Sequence, residues 1–211
     1  MLEVNNVNLT IKKEPILFDI SLSFSPGKIY GLVGHNGSGK TMLMKCMCGF
    51  VKPTSGVVLS DNKIVGKDID YIKNVGIIIE TPNFIPYYSG FKNLKILASI
   101  RKKISDEDIR NTMKMCGLDP KLKRHVKKYS LGMRQRLGIA QAIMEDPEVL
   151  ILDEPMNGLD RDGVEEIRKI LLQMKDSNKT IILASHNKED IDVLCDEVYY
   201  MEHGRIVSNP S

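Results

Sequence analysis

The sequence lacks the marks of a membrane-spanning, exported or disulfide-framed chain. No stretch approaches the roughly 20 consecutive apolar residues that cross a bilayer. The most apolar runs, Val75–Ile79 and Thr180–Ala184, have the length of buried strands. The opening residues, Met1-Leu2-Glu3-Val4-Asn5-Asn6, carry no basic head and no long apolar run, so no secretory leader is expected. Charge of one sign is also missing. The 30 Lys and Arg against 27 Asp and Glu leave a formal net charge of +3, too little by itself to argue for nucleic acid. Cysteine is sparse, at Cys46, Cys48, Cys116 and Cys195. Cys46 and Cys48 can be read as a metal or redox pair, but they stand one residue apart in an expected helix and no second ligand pair with zinc spacing follows. Buried, reduced thiols are the simpler reading. There is no internal repeat, low-complexity segment or linker.

What is present is an ordinary globular composition, 42% hydrophobic and 27% charged over 211 residues. That suits one large domain or two small lobes. Residues 17–25 alternate, with Leu17, Ile20, Leu22 and Phe24 apolar and Ser21, Ser23 and Ser25 polar. This predicts a strand with one wet face in an antiparallel layer. Lys28–Val33 reads as a buried strand, Lys40–Cys48 as a helix stopped by Gly49, Val51–Val65 as a hairpin and Val75–Ile79 as another buried strand. Helical spacing dominates from Ser89 to Glu145, with a helix start at Ser105-Asp106-Glu107-Asp108. Strand and helix then alternate again: Val149–Leu152, Arg161–Lys175, Thr180–Ala184, Lys188–Cys195 and a final strand Glu197–Met201 before the turn at His203-Gly204. The expected plan is an α/β core interrupted by a helical insertion.

Gly34-His35-Asn36-Gly37-Ser38-Gly39-Lys40-Thr41 matches G-x-x-x-x-G-K-[ST], with a buried strand before it and a helix after it. Glycines let backbone N–H groups curl around phosphate oxygens, and the helix N-terminus adds partial positive charge. Lys40 is placed to reach terminal phosphates and Thr41 to help hold Mg²⁺. A side-chain role for His35 as a base is not required among phosphate-cradling amides. Val149-Leu150-Ile151-Leu152 delivers Asp153 and Glu154 to a strand's C-terminal edge, where ligands sit in open α/β sheets. Asp153 suits the Mg²⁺ shell and Glu154 suits polarising an attacking water. His186 follows the strand Thr180–Ala184 and emerges at the same edge.

These motifs resemble the ATP-binding cassette (ABC) ATPase family over nearly the whole chain, Leu2 to about Val207. Tyr129-Ser130-Leu131-Gly132-Met133 stands where that family has L-S-G-G-Q, Asn157-Gly158-Leu159-Asp160 resembles its D-loop, and His186 its switch histidine. The resemblance implies a P-loop NTPase of ABC type: one domain over 1–211, with an α/β core and antiparallel layer at 1–88 and 146–211 and an α-helical subdomain at 89–145. It implies ATP and Mg²⁺ as ligands and hydrolysis in a head-to-tail homodimer. Ser130, Gly132 and Asp160 would complete the partner's site. It further implies separate polytopic permease subunits, with this chain cytoplasmic and peripheral on the inner face of the cell membrane.

Three departures from the family pattern stand out. Leu131 replaces the first signature glycine. Ile11 falls where an aromatic usually stacks on adenine. Glu80 holds the place of the Q-loop glutamine, where its acceptor-only charge is expected to support Mg²⁺ binding alongside Thr41 and Asp153 and to sense the membrane partner. The run Ile79-Glu80-Thr81-Pro82-Asn83-Phe84 and the signature are similar to ATPases of lantibiotic self-immunity and bacitracin-resistance exporters. That likeness implies export of a peptide antibiotic or drug. Residues 82–91, with Phe84, Tyr87, Tyr88 and Phe91, either pack the two lobes together or receive a permease. The basic stretch Lys121, Lys123, Arg124, Lys127, Lys128, Arg134 and Arg136 is read as a solvated face or as neighbouring phosphates or anionic lipid, not as a nucleic-acid patch. The rival reading is a cytosolic ABC ATPase with a soluble partner such as an iron–sulfur scaffold. A regulatory nucleotide binder without hydrolysis is disfavoured by Glu154.

Overall fold

The computed structural model describes residues 1–207; positions 208–211 of the expected core segment lie outside the described residues. The strands are β1 (Leu2–Ile11), β2 (Glu14–Phe24), β3 (Ile29–Val33), β4 (Ser55–Ser60), β5 (Lys63–Ile64), β6 (Val75–Ile78), β7 (Val149–Asp153), β8 (Thr180–Ala184), β9 (Glu197–Glu202) and β10 (Arg205–Val207). The α-helices are α1 (Lys40–Cys48), α2 (Gly90–Arg101), α3 (Asp106–Met115), α4 (Leu131–Ile143), α5 (Arg161–Asp176) and α6 (Lys188–Leu194), with a 3-10 turn at Val126–Lys128. An antiparallel sheet runs β2-β1-β4-β5, and a second sheet runs β10-β9-β3-β8-β7-β6. In the second sheet, β9, β3, β8, β7 and β6 are parallel neighbours, and β10 pairs antiparallel to β9.

Three elements differ from the sequence expectation. The strand over 17–25 is not a clean alternation. Asp19 has φ +50 and the register slips there, so the buried positions step from Leu17 to Ile20. Its partner β1 carries no strand signal in the pattern because it bulges too: Leu2 and Val4 are buried, then Val7 and Leu9, with Asn6 at φ +48 between them. Asn6 Nδ2 donates to Asp19 Oδ1 at 2.9 Å across the paired bulges. A bulge inserts one residue and shifts the two-residue period. The strand beginning at Glu197 is likewise not the last, since β10 returns along it after the His203-Gly204 turn.

The central strands are buried on both faces, which explains their unbroken apolar runs. Leu150 and Leu152 of β7 enter one core, shared with the helical insertion and α5. Ile151 enters the other, shared with the antiparallel sheet and α1. The insertion starts its helices with side-chain caps: Ser89 accepts from Lys92 N, Ser105 and Asp108 form a capping box, and Ser130 accepts from Met133 N. Ile109, Met113 and Cys116 are buried as the spacing predicts.

The insertion meets the core most closely where α4 crosses β6. A Cβ on Gly76 would lie 2.0 Å from the Ala142 carbonyl oxygen. Gly76→Ala is therefore expected to cost at least ~1–3 kcal/mol by overpacking backbone against backbone. A thermal melt should show the midpoint falling by roughly 2–4 °C per kcal/mol for a chain of this size. An unchanged midpoint would mean that this crossing is loose.

All four cysteines are free. Burial pushes the Cys46 thiol up to about 11 and those of Cys48, Cys116 and Cys195 up to about 12, which leaves them protonated and inert at neutral pH. Among the described residues, no helix is long and apolar enough to cross a membrane.

Candidate functional site

β3 ends at Val33, and the chain coils through 34–39 before α1 begins at Lys40. Two glycines are required by this path. Gly39 caps α1 at φ +105, and a Cβ on Gly34 would lie 2.3 Å from the Met201 carbonyl oxygen. No side chain caps α1, so its first N–H groups face the loop unsatisfied, ready for an anion. Lys40 Nζ donates to the carbonyls of Gly34 (2.6 Å) and His35 (3.1 Å), folding back over the loop. Among the described residues the Ser38 hydroxyl is buried and has no hydrogen-bond partner, and it packs inside the loop rather than facing the cavity.

β7 brings the acids to the loop. Thr41 Oγ1 donates to Asp153 Oδ2 at 2.8 Å, so two hard oxygen donors from distant parts of the chain converge beside Lys40. Among the described residues, no set of three or more His, Cys, Asp or Glu side chains converges on a metal position. Two protein oxygens plus phosphates are what Mg²⁺ commonly uses, so the donor set fits that ion. Glu154 follows at φ +50, a left-handed conformation that costs a non-glycine residue ~1 kcal/mol or more. Its Oε2 accepts from His186 Nδ1 at 2.8 Å. Sequence spacing thus places Asp153, Glu154 and His186 at one sheet edge, and the structure joins the last two directly.

A cavity of about 560 Å³ is lined by Asn36 to Thr41, Asp153, Glu154, Glu80, Ile16, Gln135 and Asn157, among others. Glu80 leaves β6 at φ +61 and pairs with Lys45 of α1, with Nζ and Oε1 2.6 Å apart. Ile11 is not part of this wall. It ends β1 at the hairpin turn, 37% exposed, and Ile16 on β2 stands at the cavity instead. The β1–β2 turn spends Lys12 and Lys13 on reversing the chain, which carries Ile11 away. His35 contributes its carbonyl to Lys40, while its ring bonds to the Asn36 carbonyl at 2.8 Å and leans on His203.

The sequence pattern gives Gln135 of α4 no role. It is buried, and its Nε2 donates to the carbonyls of Glu154 (3.2 Å) and Pro155 (2.9 Å). It ties the helical insertion to the backbone that carries the catalytic candidate. The only signal for it in the sequence is its position five residues after Ser130, on a helix expected to reach the core.

Ser130, Gly132 and Asp160 gather elsewhere. With Leu131, Met133, Arg136, Gly158 and Leu159 they line a second hollow of about 430 Å³, which adjoins the phosphate-loop cavity at Leu131. Asp160 caps α5 by accepting from Gly163 N. One chain therefore does not bring Ser130 and Gly132 to its own phosphate loop. The basic stretch also divides: Arg134 donates to the Tyr129 carbonyl and Arg136 to Cys116 O and Glu166, so both serve the fold. In the loop 82–91, Phe84 and Phe91 pack on the core, whereas Ile85 and Tyr87 are exposed, with Lys127 over the Tyr87 ring at 4.4 Å.

The geometry has close counterparts. The family model described as "ABC transporter" matches residues 17–157. This chain belongs to the ABC transporter family. It is an ATP-binding ATPase domain of that family. It is 48% identical to the uncharacterized ABC transporter ATP-binding protein YybJ of Bacillus subtilis (strain 168), over 98% of this chain and 94% of that one. It is 40% identical to the bacitracin transport ATP-binding protein BcrA of Enterococcus faecalis, over 98% of this chain and 68% of BcrA. The fold of this ABC domain is that of the dimeric bacterial ABC transporter cassette MJ0796, with a TM-score of 0.88 at 21% identity over 99% and 97% of the two chains.

Proposed function

We propose that two copies of this chain bind two Mg²⁺·ATP head to tail, hydrolyse them, and thereby drive separate polytopic membrane subunits from the cytoplasmic face. The observation that supports this reading is that Ser130, Gly132 and Asp160 line a hollow that adjoins the phosphate-loop cavity at Leu131, while none of the three lines that cavity itself. Each surface then supplies half a site, with the N-terminus of α4 turned to a terminal phosphate from a second copy. In the same proposal the described chain divides into an α/β core, 1–88 and 146–207, and a helical insertion, 89–145.

In this reading Lys40 and the loop amides hold the phosphates. Thr41 and Asp153 hold Mg²⁺, which when bound withdraws charge from the phosphate oxygens. Ile16 packs on the nucleoside in the place expected of Ile11. Glu154 orients a water and takes its proton as the water oxygen bonds to the terminal phosphorus, while the bond to the bridging oxygen breaks. His186, held by Glu154 Oε2, fixes that carboxylate. Ile85 and Tyr87 offer the permease an exposed apolar contact. The kinship with BcrA supports a peptide antibiotic or drug as the exported cargo.

The test is co-expression with polytopic proteins encoded beside this chain. A stable complex whose phosphate release requires Mg²⁺ and rises with added cargo is expected. Co-purification with soluble partners alone would instead support the iron–sulfur-scaffold type of ATPase.

A further inference from the structure

The acidic side of the nucleotide cavity carries one charge that the common family pattern does not. Asp153, Glu154 and Glu80 all line it, and Glu80 replaces a neutral amide. An added carboxylate repels a polyanionic nucleotide and attracts its divalent ion. The structure supplies a counter-charge from an unexpected direction. Lys45 lies four residues beyond Thr41 on α1, one turn along the same helix face, and reaches across to Glu80 at 2.6 Å. Lys45 is 25% exposed and Glu80 64%, so the lysine is the anchored member and the carboxylate the free one. The same α1 that presents its N-terminus to the phosphate loop thus fixes where the Glu80 carboxylate sits.

We propose that Lys45 is a positioning residue that holds Glu80 back from the metal, so that the pair replaces the neutral amide without overcharging the site. The inference rests on the reading of Thr41 and Asp153 as the Mg²⁺ ligands. Glu80 lines the same cavity as Thr41 and Asp153, so a metal held there would compete with the Lys45 ammonium for its carboxylate. While Lys45 holds it, nucleotide enters a site of balanced charge. Without Lys45, Glu80 turns to the metal. Bound nucleotide then depends more steeply on Mg²⁺, and binding in its absence weakens.

The experiment follows a fluorescent ATP analogue binding to the full chain, by anisotropy, with and without Mg²⁺, in the wild type, K45M, K45R, E80Q and K45M/E80Q. The readout is the ratio of the two dissociation constants. K45M is expected to raise that ratio about fivefold, the size of one unit charge displaced at the rim of a partly solvated cavity. K45R, which keeps the ion pair, should leave it at the wild-type value. In the E80Q background the K45M change should shrink to about twofold or less, because residues in contact are coupled whereas a remote charge acts additively. An equal effect in both backgrounds overturns the proposal, as does a lowered ratio in K45M. Melting curves identify a variant that has lost its fold; should K45M do so, K45Q, which keeps a long polar stem without the charge, takes its place in both backgrounds. If the wild type binds the analogue with no dependence on Mg²⁺, the metal reading itself fails and the pair's role falls with it. That result is distinguishable from a normal Mg²⁺ dependence with no Lys45–Glu80 coupling.

Discussion

Glu154→Gln is expected to stop phosphate release while leaving Mg²⁺-dependent ATP binding nearly intact. The substitution keeps the size of the side chain, and its amide oxygen can still accept from His186 Nδ1, as Oε2 does at 2.8 Å. What it removes is the capacity to take a proton from water. Loss of a positioned general base lowers turnover on the order of 10²–10⁴-fold. Lys40, Thr41 and Asp153 are untouched, so nucleotide still enters. With ATP retained, the dimer that it bridges should persist. Light scattering in Mg²⁺·ATP should then show twice the monomer mass for Glu154→Gln and a shifting, turnover-dependent mixture for the wild type. Ordinary turnover by the variant would move the base to another residue. A monomer that holds ATP would remove the head-to-tail site.

Arg168→Ala should be among the most destabilising single changes in the chain. Arg168 of α5 is buried, and its Nη2 and Nε donate to Asp190 Oδ1 of α6 at 2.6 and 3.0 Å. Asp190 is itself 1% exposed. Removing the guanidinium strands a carboxylate with no cation in a dry place, at a cost of about 3–5 kcal/mol. At roughly 2–4 °C per kcal/mol the melting midpoint falls by about 6–20 °C. The damage reaches the site through two further bonds. Ser185 Oγ donates to Asp190 Oδ2 at 3.3 Å, and Asn187 N donates to Ser185 Oγ at 3.1 Å, so the pair anchors both neighbours of His186. Replacing both members, as R168M/D190L, should recover most of the midpoint, because no buried charge is left unpaired; the other partners of Arg168, Glu165 and Glu189, are exposed. If the double variant melts as low as the single one, packing of the arginine stem rather than its charge holds α5 to α6.

The parts of the site that lie contiguous in the chain are legible in the sequence. Gly34 to Thr41 is a loop whose glycines and lysine state their purpose by spacing alone, and Asp153-Glu154 ends an apolar run too uniform to be anything but a central strand. The parts that depend on the path of the chain are not legible there. β1 hides because its bulge at Asn6 shifts the buried set from even to odd positions, so period-two alternation cannot find it. Ile11 has the right place in the chain to meet the nucleoside, yet the wall residue is Ile16. The hairpin turn decides which of the two faces the cavity. Gln135 and Lys45 look like ordinary helix residues until α4 and α1 are set against the strand ends. Arg168 and Asp190 lie 22 residues apart on exposed-looking amphipathic helices, and only packing makes them a pair.

Glu80 and Glu154 share a peculiarity: each carries its carboxylate on left-handed backbone. Glycine would occupy both positions at lower conformational cost. Random substitution followed by selection for folding alone would drain these two positions of their acids, and the drift would register as a gain in stability. Neither glutamate is there for the sake of its backbone conformation. The same logic offers a way to read diverged copies of this chain. A copy with glycine at position 154 has kept its architecture and given up its chemistry. One with glycine at position 80 has released whatever Lys45 was holding.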